Sequence, residues 1–285
     1  MKLSPRKQLR QLMQQAEPLQ IVGTINAYSA MLAQTAGLQA IYLSGAGVAN
    51  ASFGLPDLAL TNLNDVLEDA MRITAACDLP LLVDIDTGFG NQFSIARSIR
   101  LLERAEVAAI QIEDQITDKR CGHRPGKQIV STDEMVDRLK AALDARISPD
   151  FVIVARTDAY AIEGISGVIE RALRYQEIGA DIIFVEALPN LEAFTEVHRA
   201  CSLPILANCT EFGKTPLYTK DQYQTAGVKV ILYPLSAFRA MSYAALEIYN
   251  TIATIGTQRD LLTKMQSRDD LYNVLHYLDY EENLK

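Results

Sequence analysis

The sequence predicts a closed (β/α)8 barrel of the TIM type, and three observations carry that prediction. Short apolar runs alternate with amphipathic stretches eight times, the closure number of such a barrel. No composition break or Pro/Gly-rich linker interrupts the alternation, and no G-x-G-x-x-G follows the first run, as an open dinucleotide-binding sheet would favour. An open doubly wound sheet is the competing architecture. Residues 1–285 are read as one barrel domain with additional N-terminal helix and a C-terminal helical tail from about 257.

The elements follow in order. Ser4-Pro5 starts a helix through Gln15, with serine as N-cap and proline at the first helical position. Strands are expected over 20–27, 40–45, 79–86, 108–114, 151–158, 181–187, 204–210 and 229–236, runs rich in Ile, Val and Leu that suit a sheet buried on both faces. Helical spacing is clearest over 63–77, 93–105, 131–146, 165–179, 190–201 and 238–256. Ala76-Cys77-Asp78-Leu79-Pro80-Leu81-Leu82 recurs as Ala200-Cys201-Ser202-Leu203-Pro204-Ile205-Leu206, which makes Cys77 and Cys201 packing residues at the barrel floor. The polar segment ending at Lys285 is expected to pack outside the barrel or on another subunit.

Composition narrows the function. A chain that is 49% hydrophobic and 22% charged can bury a large core. Its net charge of −8 gives no global field for nucleic acid or anionic lipid. No apolar run reaches the length of about 18 residues that a membrane span needs, and the basic N-terminus lacks an apolar signal core. The expectation is a cytoplasmic protein. Four cysteines without a C-x-x-C pair and three scattered histidines argue against zinc and against a disulfide framework.

Chemistry in a barrel sits at the C-terminal ends of the strands. Those ends read Ser44-Gly45, Asp84 and Asp86, Glu113-Asp114, Arg156 and Asp158, Glu186, Asn208 and Thr210, and Ser236 with Arg239 beyond. Charged groups after apolar runs are expensive unless paired or used. Asp84 and Asp86, two apart, point to the same face of a strand, and a hard divalent cation relieves their repulsion; Mg2+ is the first choice and Mn2+ the substitute. The structural alternative is a helix cap or turn. Glu113 is a candidate to hold a metal-bound water. Lys119-Arg120-Cys121-Gly122-His123-Arg124 places a thiol among cations on a long loop, either a reactive cysteine in a mobile lid or a solvated basic loop. Arg156, Arg239 and Arg268 suggest an anionic substrate, a carboxylate ahead of a phosphate.

Lys119 to His123 matches K-[KR]-C-G-H, and the chain thereby resembles the isocitrate lyase and phosphoenolpyruvate mutase superfamily. Gly23-Thr24-Ile25-Asn26-Ala27, the stretch 83–90, Ala155-Arg156-Thr157-Asp158-Ala159 and the stretch 233–239 carry the same resemblance along nearly the whole chain. It implies a Mg2+-dependent carbon–carbon lyase that cleaves 2-methylisocitrate, a tricarboxylate, to pyruvate and succinate in the methylcitrate cycle of propionate catabolism. It further implies a homotetramer whose final helices are exchanged between subunits. Carried over by position, Asp84 and Asp86 hold the metal, with Glu113 beside them. Ser44, Gly45, Ala46, Asp57, Cys121, Gly122, Arg156, Glu186, Asn208, Cys209, Thr210, Arg239 and Arg268 bind substrate. Ala46 stands where the family pattern leads one to expect glycine. Cys121 is the proton donor to the succinate carbanion, with Lys119, Arg120 and His123 meeting its charge and Tyr42 as the base; a carboxylate acting through water is the rival base. Phe184 and Leu232 are expected to line the pocket that receives the methyl group. The alternative is a sibling lyase acting on isocitrate or a substituted malate; a phosphoenolpyruvate mutase and a non-catalytic binding barrel stand behind it.

Overall fold

The computed structural model describes residues 3–283, so Leu284 and Lys285 of the expected tail lie outside the described residues. Its strands are β1 Leu19–Gly23, β2 Ala40–Leu43, β3 Leu81–Asp84, β4 Ala109–Glu113, β5 Val152–Thr157, β6 Ile182–Val185, β7 Ile205–Asn208 and β8 Val228–Tyr233. They run parallel in sequence order, and β8 closes on β1 with Leu19 opposite Val230. Each strand is shorter than the apolar run that predicts it.

The helices are α1 Pro5–Met13, α2 Ala27–Thr35, α3 Gly45–Gly47, α4 Leu63–Ala76, α5 Gln92–Arg104 and α6 Thr132–Ala145. They continue as α7 Tyr160–Glu177, α8 Leu191–Ala200, α9 Lys220–Thr225, α10 Ser236–Ile255, α11 Arg268–Val274 and α12 Tyr277–Glu282. Ser4 caps α1 by accepting from Lys7 N–H, as its sequence requires. Helix α2 has no separate sequence expectation: it is built of Ala, Met and Leu with little polar contrast, and Asn26 and Ser29 start it with a capping box inside the run read as strand. Helix α7 starts earlier than its periodicity, at Tyr160, and turns at Gly164, whose φ of 67° breaks the pattern.

Two apolar layers hold the barrel. The outer layer lies between strands and helices and includes Ile41, Val83, Ile110, Ile153, Ile183 and Ile231. The inner layer fills the barrel with Ala40, Leu82, Ala109, Val152, Val154, Ile182, Leu206 and Val230, and Leu9 and Leu12 of α1 close it from below. Cys77 and Cys201 are buried as expected but belong to the outer layer, not to this floor. The repeat has one structure in both copies: Cys77 Sγ meets Gln34 Oε1 and Cys201 Sγ meets Gln176 Oε1, each at 3.3 Å. The tail departs from the barrel. Helix α10 buries none of its residues and leaves Tyr243, Leu246, Tyr249 and Ile255 exposed.

Candidate active site

Side chains alternate across a strand, so the inward row of the barrel can be extended residue by residue toward its mouth. Leu82 is followed by Asp84, Ala109 by Gln111 and Glu113, Val154 by Arg156, Phe184 by Glu186, and Leu206 by Asn208. Apolar packing below and polar groups above are thus one periodic pattern. The mouth holds a cavity lined among others by Tyr42, Ser44, Ala46, Asp84, Phe184 and Leu232. Asp57, Lys119, Arg120, Cys121, Gly122, His123, Arg156, Glu186, Asn208, Thr210 and Arg239 complete the expected residues along its wall.

Asp84 is held by four donors. Asp86 N–H and Gln111 Nε2 donate to Oδ1 at 3.0 and 3.1 Å, and Gly45 N–H and Tyr42 OH lie 3.2 Å from Oδ2. Gln111, fully buried, was not singled out from the sequence; its signal is a polar side chain of inward parity in an otherwise apolar strand. Its amide nitrogen faces a carboxylate, which fixes its Oε1 toward the Tyr42 hydroxyl at 3.0 Å. Burial, with Asp84 alongside, pushes the Tyr42 phenol well above its ordinary range. The hydroxyl is thus placed to donate, which weighs against Tyr42 as the base.

The strand reading of Asp86 is also corrected. Strand β3 ends at Asp84, and Asp86 has a φ of 48°, outside the pleat that would have aligned the pair. A turn, not strand alternation, returns it to the site. Both carboxylates converge on Gly45, where a Cβ would stand 3.0 Å from Asp86 Oδ1 and 3.4 Å from Asp84 Oδ2. Burial raises the Asp86 carboxyl to about 6; Lys119 opposes the shift and Asp84 adds to it. Lys119 Nζ is 2.6 Å from Asp57 and 2.8 Å from Asp86, and Asp86 Oδ1 has no hydrogen bond of good geometry. Two hard carboxylates that converge beside Gly45 fit a divalent cation that keeps most of its water ligands. Glu113 is turned elsewhere: its Oε1 accepts from Gln115 at 2.9 Å and its Oε2 lies 3.3 Å from Arg156. Among the described residues no three His, Cys, Asp or Glu side chains are arranged to ligate a metal together.

The long loop after β4 is folded over the cavity. Its stem is pinned by Ile116 N–H to Gln128 O at 3.1 Å and Val130 N–H to Asp114 O at 2.8 Å. Gly122 lies so close to the mouth that a Cβ would be 2.5 Å from Arg156 Nη2 and from Glu186 Cγ. His123 Nδ1 accepts from Lys214 N–H at 2.9 Å, which leaves Nε2–H to donate to Glu186 Oε1 at 2.7 Å. Burial would raise the Glu186 carboxyl, but Arg156 and His123 outweigh it and hold it down at about 2. The ring of cations imagined around Cys121 is therefore partly spent: Lys119 answers Asp57 and Asp86, and His123 answers Glu186.

Two expected substrate residues sit elsewhere. Cys209 is buried in the outer layer, because its neighbour Asn208 takes the inward position of β7. Arg268 is exposed at the start of α11 and does not line the cavity of its own chain. Arg239 stands at the rim, 3.6 Å from Glu211 and over the Phe212 ring at 5.6 Å.

A closed parallel barrel, a carboxylate pair beside Gly45 and a cysteine lid above a buried arginine define a superfamily of small-acid lyases and mutases. The chain belongs to it: the model of the phosphoenolpyruvate phosphomutase family matches residues 9–253. Among its relatives are 2-methylisocitrate lyases. That of Vibrio cholerae is 58% identical, the match covering 100% of this chain and 94% of the relative. That of Escherichia coli is 54% identical over 99% of this chain and 95% of the relative. The crystal structure of 2,3-dimethylmalate lyase superposes with a TM-score of 0.91 at 31% identity, covering 100% of this chain and 95% of that one. Oxaloacetate acetylhydrolase superposes with a TM-score of 0.92 at 31% identity, over 98% and 95% of the two chains. No helix among the described residues is long and apolar enough to cross a membrane.

Proposed function

We propose that the protein cleaves 2-methylisocitrate to pyruvate and succinate. The observation that carries the reading is Cys121 on a closed lid, facing the same cavity as Arg156 and Asp84, in a chain this similar to 2-methylisocitrate lyases. Asp84 and Asp86 would hold Mg2+, or Mn2+ in its place. When bound, the cation supplies Lewis-acid stabilisation of the negative charge that develops at the substrate hydroxyl and its neighbouring carboxylate.

The chain's own groups divide the remaining work. Arg156 and Arg239 bind substrate carboxylates, and Ser44 to Ala46 offer backbone N–H groups to the pyruvate-forming end. Asn208 Oδ1, buried without a partner, accepts from the substrate. Tyr42 OH donates a hydrogen bond, so the base that takes the hydroxyl proton is read as a carboxylate acting through water. The carbon–carbon bond breaks, and its electron pair passes to the succinate fragment as an aci-carboxylate, met by Arg120 and His123. The Cys121 thiol gives its proton to that carbon, and the lid excludes water from the carbanion. Phe184 and Leu232 offer apolar surface for the methyl group. The exposed apolar side of α10 is read as the surface of a homotetramer, with Arg268 supplied across it, and the site of action as the cytoplasm.

The test is to incubate purified protein and Mg2+ with 2-methylisocitrate, isocitrate and 2,3-dimethylmalate separately and identify the oxo acid formed. Pyruvate released much faster from 2-methylisocitrate than glyoxylate from isocitrate is expected. Faster glyoxylate, or faster turnover of the substituted malate, overturns the assignment in favour of a sibling lyase.

A further inference from the structure

Arg156 stands among three buried carboxylates. Its Nε and Nη2 donate to the two oxygens of Asp158 at 2.8 and 3.2 Å. Glu113 Oε2 lies 3.3 Å from Nη1 and Glu186 Oε2 lies 3.8 Å from Nη2, while the Phe184 ring packs 5.1 Å from the guanidinium carbon. Three buried carboxylates thus share one guanidinium. A further carboxylate brought by a substrate competes with these for the same guanidinium, and burial makes each unpaired charge costly.

The compensating cation comes from the lid. Gly126, at φ 79°, turns the chain so that Lys127 points inward beside the pinned stem. The Lys127 side chain is 2% exposed, and its Nζ donates to Asp158 Oδ1 at 2.7 Å. It also adds to the positive field that keeps the Glu186 carboxyl ionised. Lys127 does not line the cavity. It touches Asp158 from behind, on the same oxygen that receives Arg156 Nη2.

We propose that Lys127 is a positioning residue: closing the lid seats its ammonium on Asp158, which shares out that carboxylate's charge and leaves Arg156 free to receive a substrate carboxylate. Lid closure and carboxylate binding are thereby coupled through a buried Lys127–Asp158–Arg156 chain. The inference rests on reading Arg156 as a carboxylate receptor, and extends the proposed function to a residue outside the cavity.

The test compares wild type with Lys127→Gln, Lys127→Met and Lys127→Arg in the full chain with Mg2+, each first checked for folding by circular dichroism and thermal melting. Succinate binding is measured by calorimetry, and KM and kcat with 2-methylisocitrate in parallel. The expected result is a succinate Kd raised about tenfold or more in Lys127→Gln, a KM raised to match with kcat within about threefold, and recovery to within about threefold of wild type in Lys127→Arg. If Lys127→Met does not fold, Lys127→Gln, which keeps a donor, decides. A folded Lys127→Gln with wild-type succinate affinity overturns the inference, as does a loss that Lys127→Arg leaves unrepaired. Wild type that binds succinate but does not cleave 2-methylisocitrate removes the substrate assignment alone, and the succinate titration of the variants still judges Lys127. Wild type that binds no succinate overturns Arg156 as receptor and the inference with it.

Discussion

The two ends of the barrel are closed by opposite chemistry. Below, α1 inserts Leu9 and Leu12 against the inward apolar row, a contact without direction that is strongest when water is excluded for good. Above, the lid closes with Lys119 on Asp57 and Asp86, His123 on Glu186 and Lys127 on Asp158. Charged and polar groups regain hydration when they separate, whereas apolar surface does not, so the upper contacts cost less to open than the apolar plug. One end is closed by apolar packing and the other by charged and polar contacts.

Substitutions can break this contrast, and the largest effect is expected at the lid cysteine. Cys121→Ser should lower kcat roughly 10²- to 10⁴-fold, the usual worth of a positioned proton donor, with an unchanged melting temperature; turnover close to wild type would remove Cys121 from the chemistry. At the other end, Leu9→Ala should cost about 2–5 kcal/mol in denaturant unfolding, since Leu9 is 2% exposed, while kcat of the folded fraction is unaffected. A catalytic defect without loss of stability would mean that the two ends are not separate.

Glu186 sharpens the comparison through pH. Its carboxyl is held at about 2 against an ordinary 4.5, so the ion pair stabilises the native state above about 4.5, and this contribution is lost as pH falls toward 2. Glu186→Gln should therefore be less stable than wild type at pH 7 by on the order of 3 kcal/mol, with the gap closing across that window. A gap independent of pH between 7 and 2 would assign the loss to packing instead of charge. The smallest effect is expected for Gly122→Ala, which should lower kcat/KM about 10- to 100-fold by keeping the lid a fraction of an ångström open. Limited proteolysis of the loop in the presence of succinate checks the cause, because an open lid is cut faster.

The strand ends were readable because burial on both faces leaves a long apolar run, and a polar residue at its end stands out. Asp84, Arg156, Glu186 and Asn208 were found that way, and the structure brings them to one cavity. Gln111 escaped because it sits inside the run instead of at its end. Asp86 reaches the site by a turn and not by the strand alternation that pointed to it, and the Cys209 side chain faces the outer layer because parity assigns the inward position to its neighbour Asn208. Arg268 shows the limit of reading by position: α11 holds it on the surface of its own chain.

The sequence by itself determined the eightfold alternation, the polar mouth and the cysteine loop, since periodicity and local residue chemistry are properties of neighbours along the chain. Only the tertiary structure decided which charges meet. Lys119 finds Asp57 across 62 positions, and Lys127 finds Asp158 across 31. Whether Tyr42 gives or takes a proton also depends on Asp84 and Gln111, from two other strands. Proton affinity and pairing are set by burial and by partners brought together through barrel closure, and these follow from distances in space that no local pattern encodes.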